Sequence, residues 1–380
     1  MSARGRTIRR KKRGTFPRND HDSDCAYSWI SRVSVTKRLW RALERMFYHR
    51  LLMPKPEQLF EIARRTFDTP EFRGITFIEA EAKTVINHVP GNAMPFSWTI
   101  NPYRGCSHAC VYCFARVTHT YMDMNAGTDF ETKIVVKINA PEVLRAQLRS
   151  RRWHGDHIAM GTATDPYQRA EGRYQLMRGI IGALTDYRNP FSILTKGTLI
   201  LRDLDLLREA ANVADVSTAF SIGTLDEDAW RASEPGTPHP RARMDAVAAL
   251  NDAGIPCGVM LAPILPGITD DPAKMRDVID AAVAAGATHI TPILLHLRPV
   301  VREEYLGWLG DRYPGLVTRY EQMYSRSSYG PTEERTRVGR TVSKLIAAAG
   351  GITPRAHIAA RFSRAKTPKE PAKPKQLTLI

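Results

Sequence analysis

Cys106, Cys110 and Cys113 stand within eight residues of one another, in the run Asn101-Pro-Tyr-Arg-Gly-Cys106-Ser-His-Ala-Cys110-Val-Tyr-Cys113-Phe-Ala-Arg116. Thiolates suit both zinc and iron–sulfur clusters. Structural zinc closes on four ligands, usually as two C-x2-C pairs, and the C-x3-C-x2-C spacing here has no fourth cysteine nearby. Three thiolates on a four-iron cubane leave one iron open to a substrate or cofactor. His108 completing a zinc site is the alternative that the residues alone leave open. The remaining two of the five cysteines, Cys25 and Cys257, stand apart, which rules out a disulfide framework.

Such a loop needs a scaffold, and the sequence around it alternates short apolar runs with helical patterns. The candidate strands are Lys133–Ile138, His157–Thr162, Phe191–Thr195, Val213–Ile222, Ile255–Ala262 and Thr288–Leu294. Between them the periodicity predicts helices over Pro141–Ser150, Tyr174–Asp186, Leu204–Ala211, Pro240–Ala253 and Asp271–Ala285. Gly254 and Gly286 fall where helix C-caps belong, each just ahead of a strand. Strands spaced by helices imply right-handed crossovers and a mainly parallel sheet. The expected fold is α/β, a partial (β/α)6 barrel with functional residues at the carboxyl ends of its strands.

The boundaries follow composition. Residues 1–71 read as a basic, partly disordered extension with an amphipathic helix near Lys37–Leu52, and residues 72–300 as the barrel. Residues 301–362 turn helical (Arg302–Leu309, Leu316–Tyr324, Glu333–Ala349), and residues 363–380 form a flexible basic tail. The net charge of +16 sits largely at the ends: +7 in residues 1–14 and +5 in residues 361–380 leave about +4 for the body. The basic ends suit contact with phosphate or plain solvation. No apolar run approaches the ~18–20 residues that span a bilayer, so no membrane partner is expected. The basic N-terminus has no apolar stretch behind it, and the expectation is a cytoplasmic protein.

With an aromatic residue, Tyr112, just before the third cysteine, the loop resembles the signature of the radical S-adenosylmethionine (SAM) superfamily. The resemblance implies a 4Fe–4S cluster held by Cys106, Cys110 and Cys113, whose open iron binds SAM, with an electron donor such as flavodoxin or ferredoxin. Cleavage of the sulfonium would give a 5′-deoxyadenosyl radical, the cofactor supplying the hard chemistry. From Gly74 to Pro299 the text is similar to the spore photoproduct lyase-like, or DNA-repair photolyase-like, branch. The blocks that carry this are NPYRGCSHACVYCFAR, GTATDPYQRAE (Gly161–Glu171), ILTKG (Ile193–Gly197) and FSIGTLDE (Phe220–Glu227).

The resemblance gives these blocks roles. Thr164 and Asp165 would lie near the amino group of the cofactor's methionine end, Lys196 would face its carboxylate, and Ser221 would hydrogen-bond to it. Tyr112 and Phe114 would flank the cluster or the adenine, and Arg104 and Arg116 would support the loop. The Ala262–Asp270 strand end would shape the adenosine pocket. His296 and Arg298 read as plain rim residues, the alternative being that they face the substrate, and His154, His157 and His239 as structural or exposed. The branch implies a lyase acting on DNA or a nucleotide-like substrate; a protein or small-metabolite substrate, or a non-catalytic metal-binding module, are the alternatives. One departure stands out. Thr162 occupies the position where the lyase carries the cysteine that returns a hydrogen atom, and a threonine O–H bond is too strong for that. Cys257 reads as a buried small hydrophobe. The tail ends in Gln376-Leu-Thr-Leu-Ile380, similar to the pentapeptide by which DNA-handling proteins bind the sliding clamp.

Overall fold

The computed structural model describes residues 59–91 and 94–353. The expected helix at Lys37–Leu52 and the clamp-like Gln376–Ile380 lie outside these residues.

Eleven strands occur among the described residues, in two sheets. They are β1 (Leu59–Thr66), β2 (Thr76–Ala82), β3 (Ile86–His88), β4 (Trp98–Ile100), β5 (Tyr103–Arg104), β6 (Lys133–Lys137), β7 (Ile158–Met160), β8 (Phe191–Thr195), β9 (Val216–Ser221), β10 (Cys257–Ile264) and β11 (Ile290–Leu294). The larger sheet has the order β11-β10-β9-β8-β7-β4-β3. Its β4, β7, β8, β9, β10 and β11 pair in parallel in chain order, and β3 adds an antiparallel edge. Six parallel strands with helical crossovers are the expected partial (β/α)6 barrel.

One expectation needs correction. The Lys133–Lys137 run is not a barrel strand but lies in the second sheet, of order β1-β2-β6-β5. The first barrel strand is instead Trp98–Ile100, which runs into the cysteine loop. The 1–71 extension also gives up its last residues to structure, since β1 pairs antiparallel with β2.

The crossover helices form where single faces are apolar. Leu176–Asp186 buries Leu176, Met177, Ile180, Ile181 and Leu184, the spacing of one helical stripe. Pro272–Ala284 starts with proline in its first turn, and the Asp271 side chain accepts from the amides of Ala273 (2.8 Å) and Lys274 (3.3 Å). This satisfies two of the donors a helix start leaves orphaned. Gly254 and Gly286 follow helices at φ of 79° and 69°, as expected. Helices, strands and inner faces share one core, in which Ile180, Phe191, Phe220, Leu250, Val259 and Ile279 are fully buried. After β11, the helix Thr332–Ala348 buries Val338, Val342, Leu345 and Ile346. No helix among the described residues is long and apolar enough to cross a membrane.

Candidate active site

The cysteine loop is ordered by protein contacts on every side. The Cys106 amide donates to Phe130 O at 2.9 Å, Val111 N to Ser233 O at 3.0 Å and Gly236 N to His108 O at 3.1 Å. Gly236 has to be glycine, because a Cβ there would stand 2.1 Å from Ser107 O. Between the first two cysteines, Ala109 takes φ 52°, a left-handed conformation costly for a residue with a side chain.

Arg116 holds that turn in place. It is 3% exposed. Its guanidinium donates to Cys110 O (3.1 and 3.0 Å), Ala109 O (3.4 Å), Ala126 O and Gly127 O (both 3.1 Å), and it pairs with Glu131. A lysine cannot reproduce that planar fork. Arg116→Lys is therefore expected to load less cluster than the native chain, read as iron and acid-labile sulfide per protein after reconstitution. Unchanged loading would remove Arg116 from this role.

Cys106, Cys110 and Cys113 all line one cavity of about 200 Å³, with Tyr112, Phe114, Thr162, Thr164, Asp165, Lys196, Ser221, Pro263 and His296. Burial pushes the Cys106 thiol well up, Cys110 up to about 12 and Cys113 upward. Thiols that resist ionising alone become ligands when a metal's positive charge compensates them. His108 does not turn to the cysteines. Its Nδ1 lies 3.3 Å from Asp165 Oδ2, at ion-pair range though off the line of a hydrogen bond. Three soft donors around one cavity, with the nearby imidazole directed at a carboxylate, fit a cluster with an open corner better than a closed zinc site.

The strand-end residues divide into two groups. Asp165 is saturated from below: Thr195 Oγ1 donates to Oδ1 (2.6 Å), Tyr167 N to Oδ1 (2.8 Å) and Lys196 N to Oδ2 (2.7 Å). Burial opposes its ionisation, but His108 and these donors outweigh it and hold the carboxyl below its ordinary value. Thr164 Oγ1 donates to Gly105 O at 2.7 Å and accepts from Gln168 Nε2 at 2.9 Å. Both residues line the cavity, where the expected amino-group contact would lie, and their polar atoms also tie the β7 loop to the cysteine loop. Glu171 is likewise structural, taking Tyr103 Oη at 2.5 Å and Arg202 at 2.6 Å.

Lys196 and Ser221 both line the cavity, hydrogen-bond to each other and bring in a residue that the sequence did not reveal. Lys196 Nζ lies 2.8 Å from Ser221 Oγ and 2.9 Å from Glu234 Oε1. Glu234 also pairs with Arg243 at 2.6 Å and accepts from the Tyr112 hydroxyl. Burial pushes the Glu234 carboxyl up, but Arg243, Lys196 and Tyr112 together bring it down to about 2. Two cations against one carboxylate leave this buried group one positive charge in surplus.

His296 belongs to the cavity wall rather than to a plain rim, and Arg298 stands 5.3 Å over the Phe114 ring. His157 bonds Ser192 and His239 caps the helix Pro240–Asp252, both structural. Cys257 is fully buried at the amino end of β10, whereas Met260 and Ala262 at its carboxyl end line the cavity. At ~3.3 Å per residue it starts roughly 10 Å back along the strand.

Comparison with known proteins agrees with this architecture. The model of the radical SAM superfamily matches residues 100–279. An uncharacterized protein of Mycobacterium tuberculosis (strain H37Rv) is 49% identical over 284 residues, 74% of this chain and 84% of the relative. An uncharacterized protein of Methanocaldococcus jannaschii is 30% identical over 274 residues, 72% and 92% of the two chains. The chain belongs to the radical SAM superfamily. It is a radical SAM enzyme, of a class that uses a 4Fe–4S cluster and S-adenosylmethionine.

Among solved structures the fold is similar to spore photoproduct lyase complexed with dinucleoside spore photoproduct. The TM-score is 0.54 at 14% identity, over 83% of this chain and 93% of that one. A mutant of the same lyase gives 0.55 at 16% identity, over 73% and 81%.

Proposed function

We propose that Cys106, Cys110 and Cys113 hold the cluster, that the cofactor's methionine end lies against Lys196 and Ser221, and that the substrate is nucleic acid or nucleotide-like. The observation that carries this is one cavity lined by the three thiols together with Lys196 and Ser221, the Lys196 ammonium sharing its partner Glu234 with Arg243. When bound, the cluster and SAM supply a carbon-centred 5′-deoxyadenosyl radical by reductive cleavage of the sulfonium.

This chain's residues do the rest. Lys196 offers its ammonium to a carboxylate, which neutralises the surplus charge of the buried group. Ser221 orients that ammonium while its own hydroxyl donates to Ala262 O at 2.7 Å. Asp165 and Thr164 fix the loop over β7, and Tyr112, held by Glu234, closes the side next to Cys113. Apolar walls from Met260, Pro263 and Leu295 exclude water from a reactive intermediate.

The nucleic-acid reading is supported by the likeness to a lyase solved with a dinucleoside lesion and by the basic ends of the chain. Thr162 stands where that lyase's hydrogen-returning thiol is expected, and Cys257 is set back from the cavity. The proposed reaction is accordingly a lyase-like or repair-like one other than spore photoproduct repair itself. A flavodoxin- or ferredoxin-type protein would supply the electron.

Anaerobic reconstitution followed by reduction with SAM should yield 5′-deoxyadenosine. Oligonucleotides deuterated at the sugar and base positions should pass label into it. No 5′-deoxyadenosine with cluster and SAM both bound sinks the enzyme assignment to this site. Label absent from 5′-deoxyadenosine, with no retention on DNA at modest salt, sinks the nucleic-acid substrate alone.

A further inference from the structure

Phe114, His296 and Tyr329 form a stepped row of rings that begins inside the cavity and ends in solvent. Phe114 and His296 line the cavity. Their centroids are 5.8 Å apart with planes tilted by 34°, and His296 lies 5.5 Å from Tyr329 at 35°. These separations fall in the range of favourable aromatic contacts. The Arg298 guanidinium stands over Phe114, on the same row.

Tyr329, the outermost ring, is 55% exposed. Its backbone is nevertheless fixed. It bridges to His296, Tyr329 N donates to Ser327 Oγ at 3.1 Å, and the neighbouring Leu297 N donates to Ser328 O at 2.7 Å. A single exposed tyrosine requires no explanation. A rigidly mounted one that ends a row of rings leading to a reaction cavity, with an arginine over the innermost ring, has the make-up of a surface on which unpaired bases stack.

We infer that the Tyr329–His296–Phe114 row, with Arg298, is the site that receives an unpaired nucleobase and its adjoining phosphate and directs the base toward the cavity. The inference rests on the proposed nucleic-acid substrate and narrows it to single-stranded or locally unpaired chains. A base inside a duplex has both faces covered by its neighbours, so it cannot lie on a protein ring without leaving the stack. Every unpaired base has an open π-face, and the row offers it rings without demanding a particular hydrogen-bond pattern. Burial, with Arg298 adding to it, holds the His296 imidazole below its ordinary value, which keeps that rung uncharged at neutral pH. The arginine supplies the positive charge for the phosphate.

The test uses the full-length holoenzyme, with cluster reconstituted and SAM present, and a short fluorescent oligothymidylate beside a duplex of the same length. Fluorescence anisotropy at fixed salt reads the affinity, and the visible absorption of the cluster reports that each variant is folded. Tyr329→Ala should weaken the single strand about tenfold, the worth of one base–aromatic stack, and leave the weaker duplex binding unchanged. Tyr329→Phe should restore affinity to within about twofold, because the ring and not the hydroxyl is used. Full single-strand affinity in Tyr329→Ala, or equal losses on single strand and duplex, overturns the inference. A native enzyme that binds neither probe overturns the nucleic-acid substrate together with it.

Discussion

Single replacement of Cys106, Cys110 or Cys113 by alanine should bring iron and sulfide content, the cluster's visible absorption and 5′-deoxyadenosine formation down to background. The three side chains line one cavity and come from a single loop, and no fourth cysteine lines that cavity among the described residues. Cys257→Ala provides the contrast. That thiol is fully buried at the other end of β10, its loss opens only a small gap in the core, and cluster loading should match the native chain. A cysteine variant that still loads the full complement of iron would show that the ligand set differs from the one proposed.

The second large effect is expected at Glu234. Glu234→Gln keeps the shape but strands Lys196 and Arg243 as buried cations. Removing one partner of a buried charge network typically costs about 3–5 kcal/mol, read as a fall in the urea midpoint. The exposed acid Glu227, which pairs with Arg231 at 2.8 Å, should change stability by no more than about 1 kcal/mol on the same substitution.

The acid dependence has a definite sign. The Glu234 carboxyl is held at about 2 against an ordinary 4.5. Its contribution is therefore complete above pH 4.5 and is lost as the pH falls from there through about 2. Glu234→Gln should flatten that limb of the acid-unfolding profile. A variant as stable as the native chain across that window would mean the three charges are not coupled.

Much of the frame was legible because apolar runs and their punctuation coincide. Phe191–Thr195 was read to the residue, and the strands at β7, β9, β10 and β11 within a few residues, because Gly, Pro or a helix pattern bounds each run. The first barrel strand was not legible. Trp98–Ile100 is three residues long and precedes Asn-Pro, so it carries no periodicity to detect. Lys133–Lys137 reads as a strand and is one, but an apolar run does not say which sheet it will join.

At the site, the cysteines announce themselves by spacing, whereas Lys196 and Ser221 were singled out only through the resemblance of the blocks that contain them. Glu234 gave no such signal. It sits in Ser-Glu-Pro-Gly-Thr-Pro, a turn-rich string in which an acid ordinarily faces water, and only the tertiary fold brings Lys196 and Arg243 to it. For His296 the choice between rim and substrate-facing stayed open for the same reason, since its ring neighbours Phe114 and Tyr329 are remote in sequence.

The short step from β4 to β5 has a consequence for how the loop can be handled. Trp98–Ile100 belongs to one sheet and Tyr103–Arg104 to the other, so the chain changes sheets immediately before Cys106. The cysteine spacing is thus not a portable module. Grafted onto another scaffold, or made as a free peptide, the segment would lose both anchors along with the Gly236 contact and the Gln168 side chain, which accepts from Ser107 N and donates to Gly105 O, both at 2.9 Å. Those anchors are both non-local, since β4 meets β7 across some sixty residues and β5 meets β6 across about thirty. Cluster loading is accordingly expected to need the folded chain, in contrast to small domains that a metal ion folds around itself.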